Sequence, residues 1–184
     1  MKTFIALPML VILLGNGPRA VGQVESGPAP GSTPKPFSVF VVTGDQADQI
    51  SDLVATRKEL PTVFLFVPKE KWDRPVARFV KILDAELEKG VEGAEGAAVV
   101  AVWVTDDPAA SKEYLPRAQQ SLMFKKTPLT VFEDSKFGPE GWSLNDSAHL
   151  TAVVVRGGRV VKSFGFQSVN ETDVPDVVKL LKAK

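Results

Sequence analysis

Along this chain the apolar residues alternate between short unbroken runs and the three-to-four-residue repeat of amphipathic helices. Phe37 to Val42 (FSVFVV) is a β-branched and aromatic run of strand length. Thr43 followed by Gln46 resembles a capping box, and Ile50, Leu53 and Val54 share a helical face, which predicts a helix through about Arg57. Pro61 to Val67 (PTVFLFV) is apolar almost throughout, as a strand buried on both faces requires. Asp73 to Lys89 carries Val76, Phe79, Val80, Leu83 and Leu87 at helical spacing. Ala97 to Val104 (AAVVAVWV) is a second buried strand. Asp107-Pro108 then supplies an N-cap and a proline at the first helical position of a helix running towards Met123, which Pro116 is expected to kink or split.

The remaining third has a different rhythm. Pro128 to Phe132 reads as a short strand with proline where a missing donor is tolerated. An irregular segment follows, to Ala148. Leu150 to Val155 and Arg159 to Phe166 flank Gly157-Gly158, the signature of a tight antiparallel hairpin. Asp173 and Pro175 open a closing helix with Val177, Val178, Leu180 and Leu181. Repeated βα units imply parallel strands, and the hairpin adds an antiparallel edge. The predicted class is α/β: a central mixed sheet with helices on both faces and a C-terminal β-hairpin plus helix.

The N-terminus stands apart from this pattern. Lys2, an apolar stretch from Phe4 to Leu14 and the small-x-small site Ala20-Val21-Gly22 predict a signal peptide over residues 1–22. Residues 23–36 (QVESGPAPGSTPKP) have too few apolar side chains to offset ordering and read as a flexible linker. Residues 37–184 form the folded domain. The expected address is secreted or periplasmic, with no transmembrane segment in the mature chain.

Composition narrows the chemistry. The 184 residues are 44% hydrophobic and 24% charged, an ordinary globular mix, and 22 basic residues balance 22 acidic ones. Cleavage after Gly22 removes Lys2 and Arg19 and no acid, so the product is slightly acidic and offers no electrostatic case for nucleic acid. There is no cysteine and one histidine. Catalytic thiols, disulfides, cysteine-held zinc and iron–sulfur clusters are thereby excluded, as is a multi-histidine metal site within one chain. No phosphate loop, dinucleotide fingerprint or Gly-x-Ser-x-Gly elbow is present. No cofactor and no metal are expected.

The order of elements resembles the thioredoxin fold, and the extra strand with its irregular segment is most similar to the peroxiredoxin-type branch. TVFLFVPKEKWDRPVARFVKIL resembles the strand, active site and helix of thioredoxins, whose motif is W-C-G-P-C; Trp72, Asp73, Arg74, Pro75 and Val76 stand in those positions. AHLTAVVVRGGRVVKSFGF resembles the family's cis-Pro-Thr, strand, turn and strand, with Leu150-Thr151 in place of Pro-Thr. Asp73 and Val76 replace both redox cysteines. The resemblance therefore implies the architecture over about residues 37–181 and withholds the redox activity. It also implies that the Trp72–Val76 and Ala148–Thr151 segments meet at one rim of the sheet.

The candidate binding residues are Trp72, Asp73, Arg74, Pro75, His149, Leu150 and Thr151. Asp73 reads as an N-cap or as a catalytic acid or base. Arg74 reads as a solvated residue of the first turn or as an anion clamp beside a helix N-terminus. Trp72 is either a packing lid or an exposed recognition aromatic. His149 is either an ordinary loop histidine or the base of a non-thiol site. The acid pairs Asp106-Asp107 and Glu133-Asp134 suit helix caps and turns better than a hard cation, since no third ligand stands at metal-loop spacing. The resulting expectation is an exported, redox-inactive module that binds another extracytoplasmic protein or a small ligand. The alternative is a non-thiol enzyme using Asp73, Arg74 and His149.

Overall fold

The computed structural model describes residues 22–182, so all but the last residue of the expected signal peptide lies outside the described residues. Eight strands make one sheet: β1 (Gln23–Val24), β2 (Ser38–Val41), β3 (Gln49–Asp52), β4 (Thr62–Pro68), β5 (Ala98–Val104), β6 (Leu129–Phe132), β7 (Leu150–Arg156) and β8 (Arg159–Phe166). Four helices accompany them: α1 (Leu53–Arg57), α2 (Arg74–Lys89), α3 (Pro108–Leu122) and α4 (Val174–Leu181). The spatial order is β1-β8-β7-β4-β5-β6-β2-β3. Strands β4, β5 and β6 are mutually parallel, and the other pairings are antiparallel.

Both faces of β4 are covered, which explains its unbroken apolar run. Val63, Leu65 and Val67 face a cluster built from Val76, Phe79, Val80 and Leu83 of α2, Leu115 of α3 and Val177 and Leu181 of α4. Phe64 and Phe66 face the opposite cluster with Phe37, Leu53 of α1 and Trp142. The Trp142 ring is fully buried, 5.0, 5.4 and 4.9 Å from the rings of Phe37, Phe64 and Phe66, and its indole N–H donates to the Lys35 carbonyl at 3.0 Å. One indole thus anchors the irregular segment between β6 and β7. The β7–β8 turn is the expected two-residue type, with φ of +58° at Gly157 and +67° at Gly158, conformations that glycine adopts without steric cost.

Three expectations need correction. The helix placed over Thr43–Arg57 is a turn, the strand β3 and a five-residue helix. Residues 49–52 pair with β2 from Val41↔Gln49 to Ser38↔Asp52, a reversal helped by Asp48 at φ +63°. The helix begins only at Leu53, where the Asp52 carboxylate accepts from the Ala55 N–H at 3.0 Å. The Thr43 hydroxyl instead accepts from the Leu129 N–H and donates to Gln119. Because β2 runs antiparallel to β6, the first βα unit is not a parallel crossover.

The stretch 23–36, expected as a flexible linker, is laid along the β8 edge. Gln23 and Val24 pair with Phe166 and Gly165, the Gly31 N–H donates to the Val160 carbonyl at 2.7 Å, and the Val160 N–H donates to the Ser32 carbonyl at 2.9 Å. The Ser163 hydroxyl closes the middle by donating to the Pro28 carbonyl at 2.7 Å. Backbone groups of an otherwise unpaired edge strand hold this segment, so it needs few apolar side chains of its own. Pro116, third, lies inside α3 without splitting it, with Leu115 and Ala118 buried beside it.

Candidate functional site

At the end of β4 the chain makes a 3-10 turn (Lys69–Lys71), passes Trp72 and enters α2. Thr151, at the start of β7, pairs with Phe66 near the end of β4, which brings the β4–α2 connection beside residues 146–149. Lys71 joins them: its ammonium donates to the Ala148 carbonyl at 3.1 Å and to the Asp146 carbonyl. The β4–α2 connection, which leads into Trp72–Val76, and residues 146–151 therefore lie at one rim of the sheet.

Within that rim the candidate residues diverge. Trp72 is half-buried, 4.6 Å from the Trp103 ring, and its indole N–H donates to the Tyr114 hydroxyl at 2.9 Å. It is a packing lid between β5 and α3. Asp73 caps α2, its carboxylate accepting from the Val76 N–H at 3.0 Å. Arg74 and Pro75 are exposed on the first turn and line an open groove of about 570 Å³ with Arg78, Val169, Asn170 and Glu171, where Arg78 pairs with Glu171 at 3.1 Å. The His149 N–H donates to the Phe166 carbonyl at 2.6 Å and its side chain is half-buried. Among the described residues no hydrogen bond joins Asp73 to His149. Leu150 is fully buried in the core beneath α2 and α4. Thr151 is buried, with its hydroxyl 2.6 Å from that of Ser26.

Thr151 also lines a cavity of about 380 Å³ on the other face of the sheet from α2. Phe66, Val104, Phe137 and Leu144 wall it, and Glu70, Lys71, Asp106, Lys136 and Asp146 ring it. Phe137 is 72% exposed, a large aromatic surface at the mouth. The volume lies within the range of about 300–1,000 Å³ usual for small-ligand sites. Sequence reasoning missed this cavity because its walls come from four separated segments. The one local hint was an aromatic beside a lysine (Lys136-Phe137) in a stretch otherwise polar and irregular.

One acid of each pair is engaged by a partner. Asp107 caps α3, accepting from the Ala110 N–H at 3.0 Å, and Glu133 pairs with Lys112 at 2.5 Å. Among the described residues no group of three histidine, aspartate or glutamate side chains is placed to hold a metal ion, and no helix is long and apolar enough to cross a membrane.

A single mixed sheet covered by helices on both faces, closed by an antiparallel hairpin and helix, is a thioredoxin-like fold, here in a sequence without cysteine. Solved structures agree. The secreted thiol-disulfide isomerase of Corynebacterium glutamicum superposes with a TM-score of 0.57 at 16% identity over 81% of this chain and 84% of its own. A DsbF homologue from Corynebacterium diphtheriae gives 0.58 at 16% identity over 91% and 98%. A peroxiredoxin-like protein from Aquifex aeolicus gives 0.54 at 15% identity over 86% and 91%. No family model and no curated protein matches the sequence.

Proposed function

We propose that the protein is an exported, redox-inactive binding or scaffold module that recognises an extracytoplasmic protein or small ligand at the rim once devoted to thiol chemistry. The observation carrying this reading is the pairing of a cysteine-free chain with an open, aromatic-mouthed cavity beside the β4–α2 connection. Thiol–disulfide exchange needs a thiolate, so what the fold retains here is shape and surface. Exposed apolar surface ringed by charge is the usual make-up of a recognition site. Phe137 is the anchor and the charged ring sets orientation, while Trp72 supports the rim from behind. The residue pattern before Gln23 supports export, and secretion is in the name of one structural neighbour.

The test is affinity capture from the native extracytoplasmic fraction with the chain beginning at Gln23, comparing wild type with Phe137→Asp. Phe137 is exposed, so the variant keeps the fold. A partner whose recovery falls at least tenfold on substitution supports the reading, and equal recovery removes the rim from consideration. N-terminal sequencing of the native protein decides export: Gln23 as first residue supports cleavage, and intact Met1 refutes it.

The alternative, a non-thiol enzyme using Asp73, Arg74 and His149, has less support: Asp73 accepts from the Val76 N–H as a cap, Arg74 lines the groove beside Arg78, and among the described residues no hydrogen bond joins either to His149.

A further inference from the structure

The rim cavity carries a charge pattern that narrows what it can hold. Glu70, Asp106 and Asp146 stand at its edge, all exposed, and none of the three carboxylates has a hydrogen bond or ion pair among the described residues. Two ammonium groups share that edge. Lys71 gives its donors to the carbonyls of Asp146 and Ala148, so it braces the β4–α2 connection. The Lys136 ammonium lies 5.3 Å from the centre of the Phe137 ring, within the distance of about 6 Å at which an aromatic face attracts a cation. Three carboxylates against two ammonium groups leave one negative charge, and neither ammonium is paired with a carboxylate.

The apolar surface open to solvent is equally specific. Phe137 is 72% exposed, and its ring joins neither core cluster, so packing within the described residues does not account for it. Pro68 and Leu144, both half-buried, line the same cavity. Phe66 and Val104 close the floor and are buried, so an occupant meets the three accessible apolar groups and the carboxylates. The volume of about 380 Å³ is near the lower end for small-ligand sites and suits one long side chain better than a helix.

We propose that this cavity receives an arginine side chain of the partner protein, its stem lying on Phe137, Leu144 and Pro68 and its guanidinium facing Glu70, Asp106 and Asp146. The inference names the partner's chemistry at the site proposed above and rests on that reading. A guanidinium is planar and weakly hydrated, so it stacks on an aromatic face while offering five donors to acceptors on more than one side. A partner carboxylate or phosphate would instead approach three carboxylates that no cation neutralises. Lys136 is the stand-in: its ammonium holds the aromatic face that the arriving guanidinium takes over.

The probe is the capped tripeptide Gly-Arg-Gly, and its control carries citrulline, which keeps the shape of arginine and lacks the charge. Binding to the chain beginning at Gln23 is read from the amide resonances of Asp106, Phe137 and Asp146. Saturable shifts with half-saturation at about 1 mM or below are expected for the arginine peptide, and none that saturate for citrulline. Asp106→Asn combined with Asp146→Asn weakens binding at least fivefold, and Phe137→Ala at least threefold. Lys136→Gln strengthens it at least twofold, because a competing cation is gone. Glu92→Gln, in the loop between α2 and β5, keeps the wild-type affinity. All five positions are exposed, so the variants keep the fold. Unsaturable shifts, equal binding of citrulline, undiminished affinity in the acid double variant or Phe137→Ala, no gain in Lys136→Gln, or an equal loss in Glu92→Gln overturns the proposal. A captured partner that Phe137→Asp loses and the acid double variant holds undiminished overturns the arginine and leaves the rim reading standing. A partner that Phe137→Asp retains in full overturns both.

Discussion

The hydroxyls of Ser26 and Thr151 lie 2.6 Å apart, joining residues separated by 125 positions, and Ser26 also accepts from the Asn145 N–H at 2.9 Å. One buried side chain thus ties the N-terminal segment both to the first residues of β7 and to the wall of the rim cavity. Ser26→Ala leaves the Thr151 hydroxyl and the Asn145 N–H in search of partners. The expected cost is about 1–3 kcal/mol in urea unfolding. Ser26→Ala with Thr151→Val recovers part of it, since both hydroxyls are then gone. An unchanged unfolding free energy in Ser26→Ala shows that the segment is not held there.

Gly165 lies directly under β1. A Cβ at this position would collide with the Val24 carbonyl oxygen and come within 2.7 Å of the Ser26 Cβ. Backbone cannot yield as a flexible side chain can, so Gly165→Ala lifts β1 off β8. Hydrogen exchange at Val24 and Gln167 should accelerate at least tenfold while amides of β4 and β5 keep their protection. Uniform protection in the variant contradicts the role assigned to the glycine.

Asp73 acts through its cap. Asp73→Ala should destabilise the protein by about 1 kcal/mol, whereas Asp73→Asn, which still accepts the Val76 N–H, should cost a few tenths. Thermal unfolding of the two variants makes the comparison. A large loss of partner binding in Asp73→Asn, at unchanged stability, argues that the carboxylate faces a ligand and not the helix.

Trp72 and Tyr114 should be coupled. Trp72→Phe and Tyr114→Phe each remove the same 2.9 Å hydrogen bond, so the double variant costs less than the two single costs added together. A double-mutant cycle in urea yields the coupling energy, expected at about 0.5–1.5 kcal/mol. Simple additivity means the indole is free, and restores Trp72 as a recognition aromatic.

Thiol chemistry is absent and can be reintroduced. The purified protein should neither reduce insulin disulfides nor consume peroxide by a thiol route, because the sequence contains no cysteine. Asp73→Cys with Val76→Cys rebuilds the spacing at the start of α2, where a helix N-terminus favours thiolate. That variant should form a disulfide in air, seen as a loss of about 2 Da, at a stability cost from the lost cap and from truncating Val76, which is fully buried. Persistence of two free thiols after air oxidation would show that residues 73 and 76 do not occupy the positions of the redox pair.

The amino-acid order alone determined the elements whose cause is local. Val76, Phe79, Val80, Leu83 and Leu87 recur at helical spacing behind a capping Asp73, and α2 forms there. The apolar runs of β4 and β5 demand burial on both faces, and Gly157-Gly158 allows a single tight reversal between β7 and β8. That the β4–α2 connection lies beside residues 146–149 follows from that order combined with the resemblance to thioredoxins. Tertiary structure decided what depends on distant partners. Ile50, Leu53 and Val54 sit at helical spacing, yet residues 49–52 join β2 because the paired edge supplies backbone partners that a short helix would have to find locally. Residues 23–36 carry no apolar period, and their order comes from donors and acceptors on β8 more than 120 residues away. The rim cavity is likewise assembled from separated segments, and the loop before β6 is held by Asp84, which accepts from the Lys125 and Lys126 N–H groups 41 and 42 positions later in the chain.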